Sequence, residues 1–256
     1  KHIVILGTTY PFRGGLAAFN ERLAREFIAE GHQVTIFTFS LQYPKFLFPG
    51  KTQELQEAAP EGLDIDIKVN SVNPFNWLKV GRELRKMAPD LLVMKFWIPF
   101  MGPSLGTIAR KARKNGITKA IAIVDNMIPH ERRIGDMKLI RYFARSIDAF
   151  VAMSHSVEND IHSFKTGKPV VFAAHPIYDN FGDRFEKQAA KKLLGLDPDY
   201  SYLLFFGFIR DYKGLDLALK AMADPRMKGR KVKLIVAGEF YKDPKPYLDL
   251  IASLGI

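Results

Sequence analysis

Cysteine is absent from this chain. A disulfide framework, a thiolate zinc site and a cysteine nucleophile are therefore excluded together, and the composition fits a reducing compartment. Long apolar runs are missing too. The longest uncharged stretch, Phe96 to Ala109, is broken by Pro99, Gly102, Pro103 and Gly106 and falls short of the roughly 20 apolar residues a bilayer-spanning helix needs. The apolar start, Ile3 to Leu6, stops at Gly7 without a small-residue cleavage site, which reads as a first strand and not as a signal peptide. Glycine and proline are scattered without period, so collagen-like and low-complexity architectures are excluded. The six histidines include no His-x-x-x-His pair, so no metal site is expected. Gly-x-Gly-x-x-Gly is missing, and the loop after the first strand, Gly7 to Gly15, lacks the Gly-Lys-Ser/Thr of a P-loop, which disfavours dinucleotide and P-loop chemistry.

Acidic residues are also scarce relative to basic ones. Lys and Arg number 38 against 27 Asp and Glu, a net charge of +11, most of it before Leu196. Such an excess calls for an anionic partner: nucleic acid, a phosphorylated ligand or an acidic membrane surface. Nucleic acid ranks last, because the aromatics occupy strand-like positions and do not interleave with Lys and Arg on one face. With 256 residues and 47% hydrophobic side chains, the chain has enough apolar surface for a folded protein of one large or two smaller domains.

Short β-branched runs alternate with longer amphipathic ones, the pattern of a parallel α/β sheet wrapped by helices. Strands are predicted over 3–6, 33–39, 64–69, 91–96, 119–124, 149–153 and 170–174. Helices are predicted over 15–30, 76–87, 103–115, 136–145 and 156–164, with Gly31 closing the first and Ser156 capping the last. A charged helix over 184–194 and a linker, Gly195 to Asp199, precede a restart: strand 202–206, helix 215–222, strand 233–237, helix 246–253. Residues 1–196 thus form one α/β domain and 197–256 the beginning of a second. Two strands and two helices leave sheet edges and one face bare, so the chain is expected to be part of a longer one with little activity of its own.

Four segments carry candidate chemistry. The loop from Gly7 to Gly15 opens a helix with Arg13, Gly14 and Gly15. Helix amides and glycine backbone there suit an anion, although a plain tight turn with an exposed arginine reads equally well. In the second unit, Gly207-Phe208-Ile209-Arg210-Asp211-Tyr212-Lys213-Gly214 places two cations three residues apart after a strand. A planar fork and a point charge can share one diphosphate; a solvated basic loop is the alternative. Asp125, Asn126, His130 and Glu131 crowd the end of the fifth strand, where open α/β sheets bind ligands, and can orient hydroxyls or move protons; an Asp-Asn turn is the bland reading. His155 follows another strand and is a weaker candidate, and His175-Pro176 reads as a turn. The basic amphipathic helices around 78–87 and 108–114 suit an anionic lipid surface or simply the outside of an α/β domain.

In this order the pieces resemble the retaining glycosyltransferases of family 4, which have the GT-B fold. The matching elements are Gly14-Gly15, Asn126 to Glu131, Ser154-His155-Ser156-Val157 and, most specifically, Gly207 to Asp216 with its Lys213-Gly214-Leu215-Asp216 ending. The resemblance implies two Rossmann-like domains: residues 1–196 on the acceptor side, with Arg13, Asn126, Glu131 and His155, and 197–256 as the incomplete nucleotide-sugar domain. It implies that Arg210 and Lys213 grip the donor diphosphate, that Asp125 and His130 lie near the reacting sugar, and that Gly14, Gly15, Gly207 and Gly238 admit the donor backbone-close. It further implies an NDP-sugar donor, no metal or other cofactor, a glycan or lipid-linked acceptor, and a cytoplasmic enzyme able to rest on the inner membrane face. Two departures stand out. Many members carry histidine where this chain has Asp125, and the family's Glu-x₇-Glu motif would fall beyond Ile256. A non-catalytic module that binds glycan or phospholipid is the competing reading.

Overall fold

The computed structural model describes residues 1–44, 58–129, 131–178 and 182–256. They form two compact units, one reaching to Tyr178 and the other beginning at Gly182. The first holds strands β1 (His2–Leu6), β2 (Gln33–Leu41), β3 (Asp64–Asn70), β4 (Leu91–Phe96), β5 (Lys119–Val124), β6 (Ala149–Ala152) and β7 (Val170–Phe172). All pair in parallel in the order β3-β2-β1-β4-β5-β6-β7. Helices α1 (Gly15–Ala29), α2 (Pro74–Met87), α3 (Gly102–Ala112), α4 (Asp136–Ser146) and α5 (His155–Ser163) supply the crossovers.

The central strands are buried on both faces, which is why Ile3–Leu6 of β1 and Leu91–Met94 of β4 read as unbroken apolar runs. One face packs Ile3, Ile5, Ile36, Val93 and Ile123 under Ala24 of α1. The other packs Val4, Leu6, Met94, Phe96 and Val124 against α2, α3 and α4. Phe96 and Phe143 stack there with ring centres 4.1 Å apart and planes within 8°. Burying each such ring contributes roughly 1.5–3 kcal/mol before entropy is counted. Helix starts are set locally. Asn73 accepts from the Phe75 and Asn76 amides ahead of Pro74, and the Ser154 side chain accepts from the Val157 amide at the head of α5. The cap is thus Ser154, not Ser156 as expected, because α5 begins at His155, one residue before the predicted start.

The basic helices keep their apolar positions inward: Val80 and Leu84 of α2, and Leu105, Ile108, Ala109 and Ala112 of α3, are buried, while Arg82, Arg85, Lys86, Arg110 and Lys114 are exposed. Arg113 turns aside to pair with Asp148 and the Ser146 carbonyl. None of the described helices is long and apolar enough to cross a membrane.

The second unit carries α6 (Lys187–Leu193), β8 (Ser201–Phe206), α7 (Leu215–Met222), β9 (Val232–Ala237) and α8 (Lys245–Leu254). Strands β8 and β9 pair in parallel, with Leu203 opposite Leu234 and Phe206 opposite Ala237. Ile209, Leu215 and Leu219 form its small core with Phe205, Leu234, Leu250 and Ile251. The outer side of β8 leaves Leu204 and Phe206 exposed. The units divide between Tyr178 and Gly182, well before the expected boundary at 196/197. The reason is visible at α6, where Lys191 donates to the Pro198 and Tyr200 carbonyls at 2.6 and 2.7 Å and so ties that helix to the approach of β8.

Candidate functional site

In a parallel sheet the strand order reverses at one place, and the crevice beyond the carboxyl ends there is where α/β proteins bind ligands. Here that place lies between β1 and β4. The loop leaving β1 is anchored: the Thr9 amide donates to Thr38 Oγ1 at 3.1 Å, Thr9 Oγ1 donates to Glu21 at 2.6 Å, and Phe12 is buried. Gly14 then opens α1 with φ +104°, a conformation only glycine adopts cheaply. At Gly15 a side chain would meet the Tyr178 hydroxyl at 2.7 Å, and that hydroxyl donates to the Gly15 carbonyl at 3.3 Å. Arg13 is exposed in the same loop.

The neighbouring strand ends bring a charged pair into this edge. Lys95, the penultimate residue of β4, is 2% exposed, and its ammonium lies 3.0 Å from Asp125 Oδ1, just past β5. The same nitrogen sits 3.3 Å from the centre of the Phe19 ring and 3.7 Å from Met153 Sδ. Burial pushes the Asp125 carboxyl up from its ordinary value, opposed by the charges of Lys95 and His175. It likewise pushes Lys95 down, opposed by Asp125. The other carboxylate oxygen, Asp125 Oδ2, is buried with no hydrogen-bond partner among the described residues. His175 packs its ring on Phe19 and Tyr178, at 5.5 and 5.2 Å between centres.

Of the other residues expected in this half, Asn126 is half-buried beside Asp125 and Glu131 is exposed. His130 lies outside the described residues. His155 stacks on Phe172 at 4.0 Å and its Nδ1 is 3.0 Å from Glu158 Oε2. Those contacts sit at the start of α5 and engage the ring locally.

In the second unit the expected cations gather at the carboxyl ends of β8 and β9. Gly207 leaves β8 with φ +98°, and Lys213 Nζ is 3.3 Å from where a Gly207 Cβ would stand. The Arg210 guanidinium carbon lies 4.0 Å from the centre of the Tyr241 ring. Asp211, between the two cations, pairs with Lys242 at 2.8 Å and accepts from Tyr247, contacts that hold its carboxyl below the usual range. Gly238 packs directly against Gly207: a Cβ there would overlap the Gly207 carbonyl oxygen and come within 2.7 Å of its carbon. The two glycines are what let the loops after β8 and β9 touch. A preorganised Arg and Lys on such a rim can stabilise charge that develops on a departing phosphate oxygen.

Residues 13–172 match the family described as Glycosyltransferase Family 4. The chain belongs to that family. It is 26% identical to a D-inositol 3-phosphate glycosyltransferase of Thermobifida fusca, an alignment that takes in 95% of this chain and 61% of the relative. The chain thus spans about three-fifths of that relative's length. The fold is that of the GT-B glycosyltransferases. The catalytic domain of Arabidopsis thaliana starch synthase IV, solved with ADP and acarbose, matches over 99% of this chain and 70% of its own, at TM-score 0.55 and 12% identity. An Escherichia coli trehalose-6-phosphate protein bound with UDP-2-fluoro glucose matches over 100% and 68%, at TM-score 0.54 and 13% identity.

Within this family 4 chain, sequence reasoning placed Asp125 and the glycine-rich loop at the sheet edge but missed their partners. Lys95 carried a signal: a lone cation inside the apolar run Leu91 to Phe96 must find a counter-charge if the strand is central. His175, Tyr178 and Tyr241 carried none, since only folding brings them beside Phe19, Gly15 and Arg210.

Proposed function

We propose that the protein transfers a sugar from a nucleoside diphosphate sugar to a hydroxyl of a glycan, lipid-linked saccharide or phosphorylated polyol, with retention at the anomeric carbon. The anomeric carbon–phosphate oxygen bond breaks and the nucleoside diphosphate leaves with the electron pair. The acceptor oxygen bonds to the same face, and its proton passes to the departing phosphate. The observation that carries this reading is the pair Arg210 and Lys213 at the ends of β8 and β9, one steadied by Tyr241, the other lying over Gly207. Two positive charges there offset the negative charge that grows on the leaving diphosphate. Gly14 and Gly15 let the backbone approach the donor closely, and Asp125 Oδ2 accepts a sugar or acceptor hydroxyl. The reaction so written needs no metal.

The excess of positive charge supports a phosphorylated acceptor, in line with the name of the Thermobifida relative. It equally supports a cytoplasmic enzyme resting its exposed arginines and lysines of α2 and α3 on anionic lipid. The test is turnover by the whole protein carrying Arg210→Ala or Lys213→Ala. Each is expected to lower turnover by two or more orders of magnitude, as removal of one such donor does elsewhere. Near-normal turnover in both sinks the diphosphate assignment. Tight glycan binding with no nucleotide-sugar binding favours the alternative, a non-catalytic binding module.

A further inference from the structure

We propose that Lys95 is a positioning residue for substrate, holding the Asp125 carboxylate as a fixed hydrogen-bond acceptor with Oδ1 engaged and Oδ2 left for a ligand hydroxyl. The inference rests on the reading of Asp125 given above and adds the residue on which that role depends. Three observations carry it. First, a fully buried lysine is among the rarest of core residues, and this one lies at the strand end beside the reversal of strand order, where ligands bind. Second, its ammonium is caged: Asp125 at 3.0 Å, the face of Phe19 at 3.3 Å and Met153 Sδ at 3.7 Å leave it a single charged partner among the described residues. A side chain so enclosed loses its rotamer freedom on folding and fixes whatever it binds. Third, Asp125 Oδ2 is buried without a partner among the described residues, and an orphaned buried oxygen calls for a ligand or a water. A carboxylate accepts and does not donate, so the chemistry it recognises is a hydroxyl or an amide N–H. At this place in the fold, a sugar or polyol hydroxyl is the ligand group.

Lys95 therefore acts through Asp125. The other titratable groups that Asp125 senses are His175 and Tyr178, both from the segment after β7. Removing Lys95 deprives the carboxylate of its counter-ion and favours its protonated form, which presents a donor and loses acceptor capacity.

The experiment compares Lys95→Met, Asp125→Asn and the double variant in the whole protein. It reads kcat/KM for sugar transfer across pH and the Asp125 carboxyl ¹³C shift by NMR titration. Lys95→Met is expected to lower kcat/KM at neutral pH at least tenfold and to move the acid limb to higher pH. The double variant is expected to match Asp125→Asn alone, because the two residues act as one unit. The double variant also remains informative where Lys95→Met fails to fold, since it buries no lone charge. A double variant far below Asp125→Asn, or an unshifted acid limb in Lys95→Met, overturns the proposal. Absence of turnover by the wild-type protein with every nucleoside diphosphate sugar would sink the transferase reading instead. Lys95 is then judged on the NMR titration: a raised Asp125 midpoint in Lys95→Met upholds its role, and an unmoved one overturns it.

Discussion

Gly238→Ala separates packing from ligand binding at the second unit's rim. Gly238 has no need of positive φ, so alanine brings no backbone strain of its own there; the cost is purely steric. The new methyl would overlap the Gly207 carbonyl oxygen and stand 2.7 Å from its carbon, where carbon atoms prefer about 3.5–4.0 Å. The obstacle is backbone, so no side-chain rotation relieves it, and the loop after β8 must retreat by about 1 Å. That loop is held by Gly207 N donating to Ala237 O at 3.0 Å and Ile209 N donating to Glu239 O at 2.9 Å. Overpacking costs about 1–3 kcal/mol, and a lost hydrogen bond adds about 1 kcal/mol, so the second unit should lose about 2–4 kcal/mol. Amide hydrogen exchange over β8 and β9 reads this directly, as a loss of protection of roughly 30- to 1,000-fold. Both tryptophans, Trp77 and Trp97, lie in the first unit, so their fluorescence serves as an internal control that should not change. Gly229→Ala is a second control: none of the described residues would come within 4 Å of the new methyl, and its φ of +77° costs about 1–2 kcal/mol. Unchanged exchange in Gly238→Ala, with nucleotide binding lost, would refute the packing argument and leave Gly238 as a ligand contact.

Phe143→Ala removes the partner of the buried Phe96 stack and should cost about 3–5 kcal/mol, read by urea denaturation followed through tryptophan fluorescence. A loss under 1 kcal/mol would mean the rings are not packed as described. Ser154→Ala should destabilise by about 1 kcal/mol through the lost cap, whereas Ser156→Ala, at an exposed helical position, should stay within about 0.5 kcal/mol. The Lys95–Asp125 pair makes a pH prediction. The folded-state carboxyl titrates above 3.8, so its contribution to stability falls as pH rises from there through the folded value. Lys95 titrates below 10.5, so its contribution is present above that value and falls as pH drops through the folded one. Between those windows both groups are charged and burial opposes them. While both are charged, Lys95→Met alone should cost about 3–5 kcal/mol, and replacement of both by neutral side chains should be near neutral or stabilising. Equal losses in the single and double variants would contradict this.

Much of the fold was legible in the chain itself. Strands β4 and β5 and helix α7 occupy the spans predicted for them, because each is an apolar run or a 3.6-residue pattern bounded by proline, glycine or charge. The ends were less legible. β7 stops at Phe172 instead of continuing to Ala174, since its length is set by the edge of β6 it pairs with and not by its own β-branched residues. Helix α6 was seen, but its allegiance was not: Lys191 decides it by reaching carbonyls beyond a glycine that looked like a linker.

The candidate site divides along the same line. Glycines at a loop-to-helix junction, an Asp-Asn pair at a strand end and two cations spaced by three are local features, and local chemistry made them readable. The sequence by itself determined an α/β alternation, a positive surface and which loops carry ligand chemistry, because those follow from periodicity and residue type. Only the tertiary structure decided that β1 lies beside β4, that Lys95 therefore meets Asp125 under Phe19, and that Gly238 presses on Gly207. Those pairings join residues 30 or more apart in the chain, and parallel strand order is chosen by how whole faces bury, which no single segment encodes.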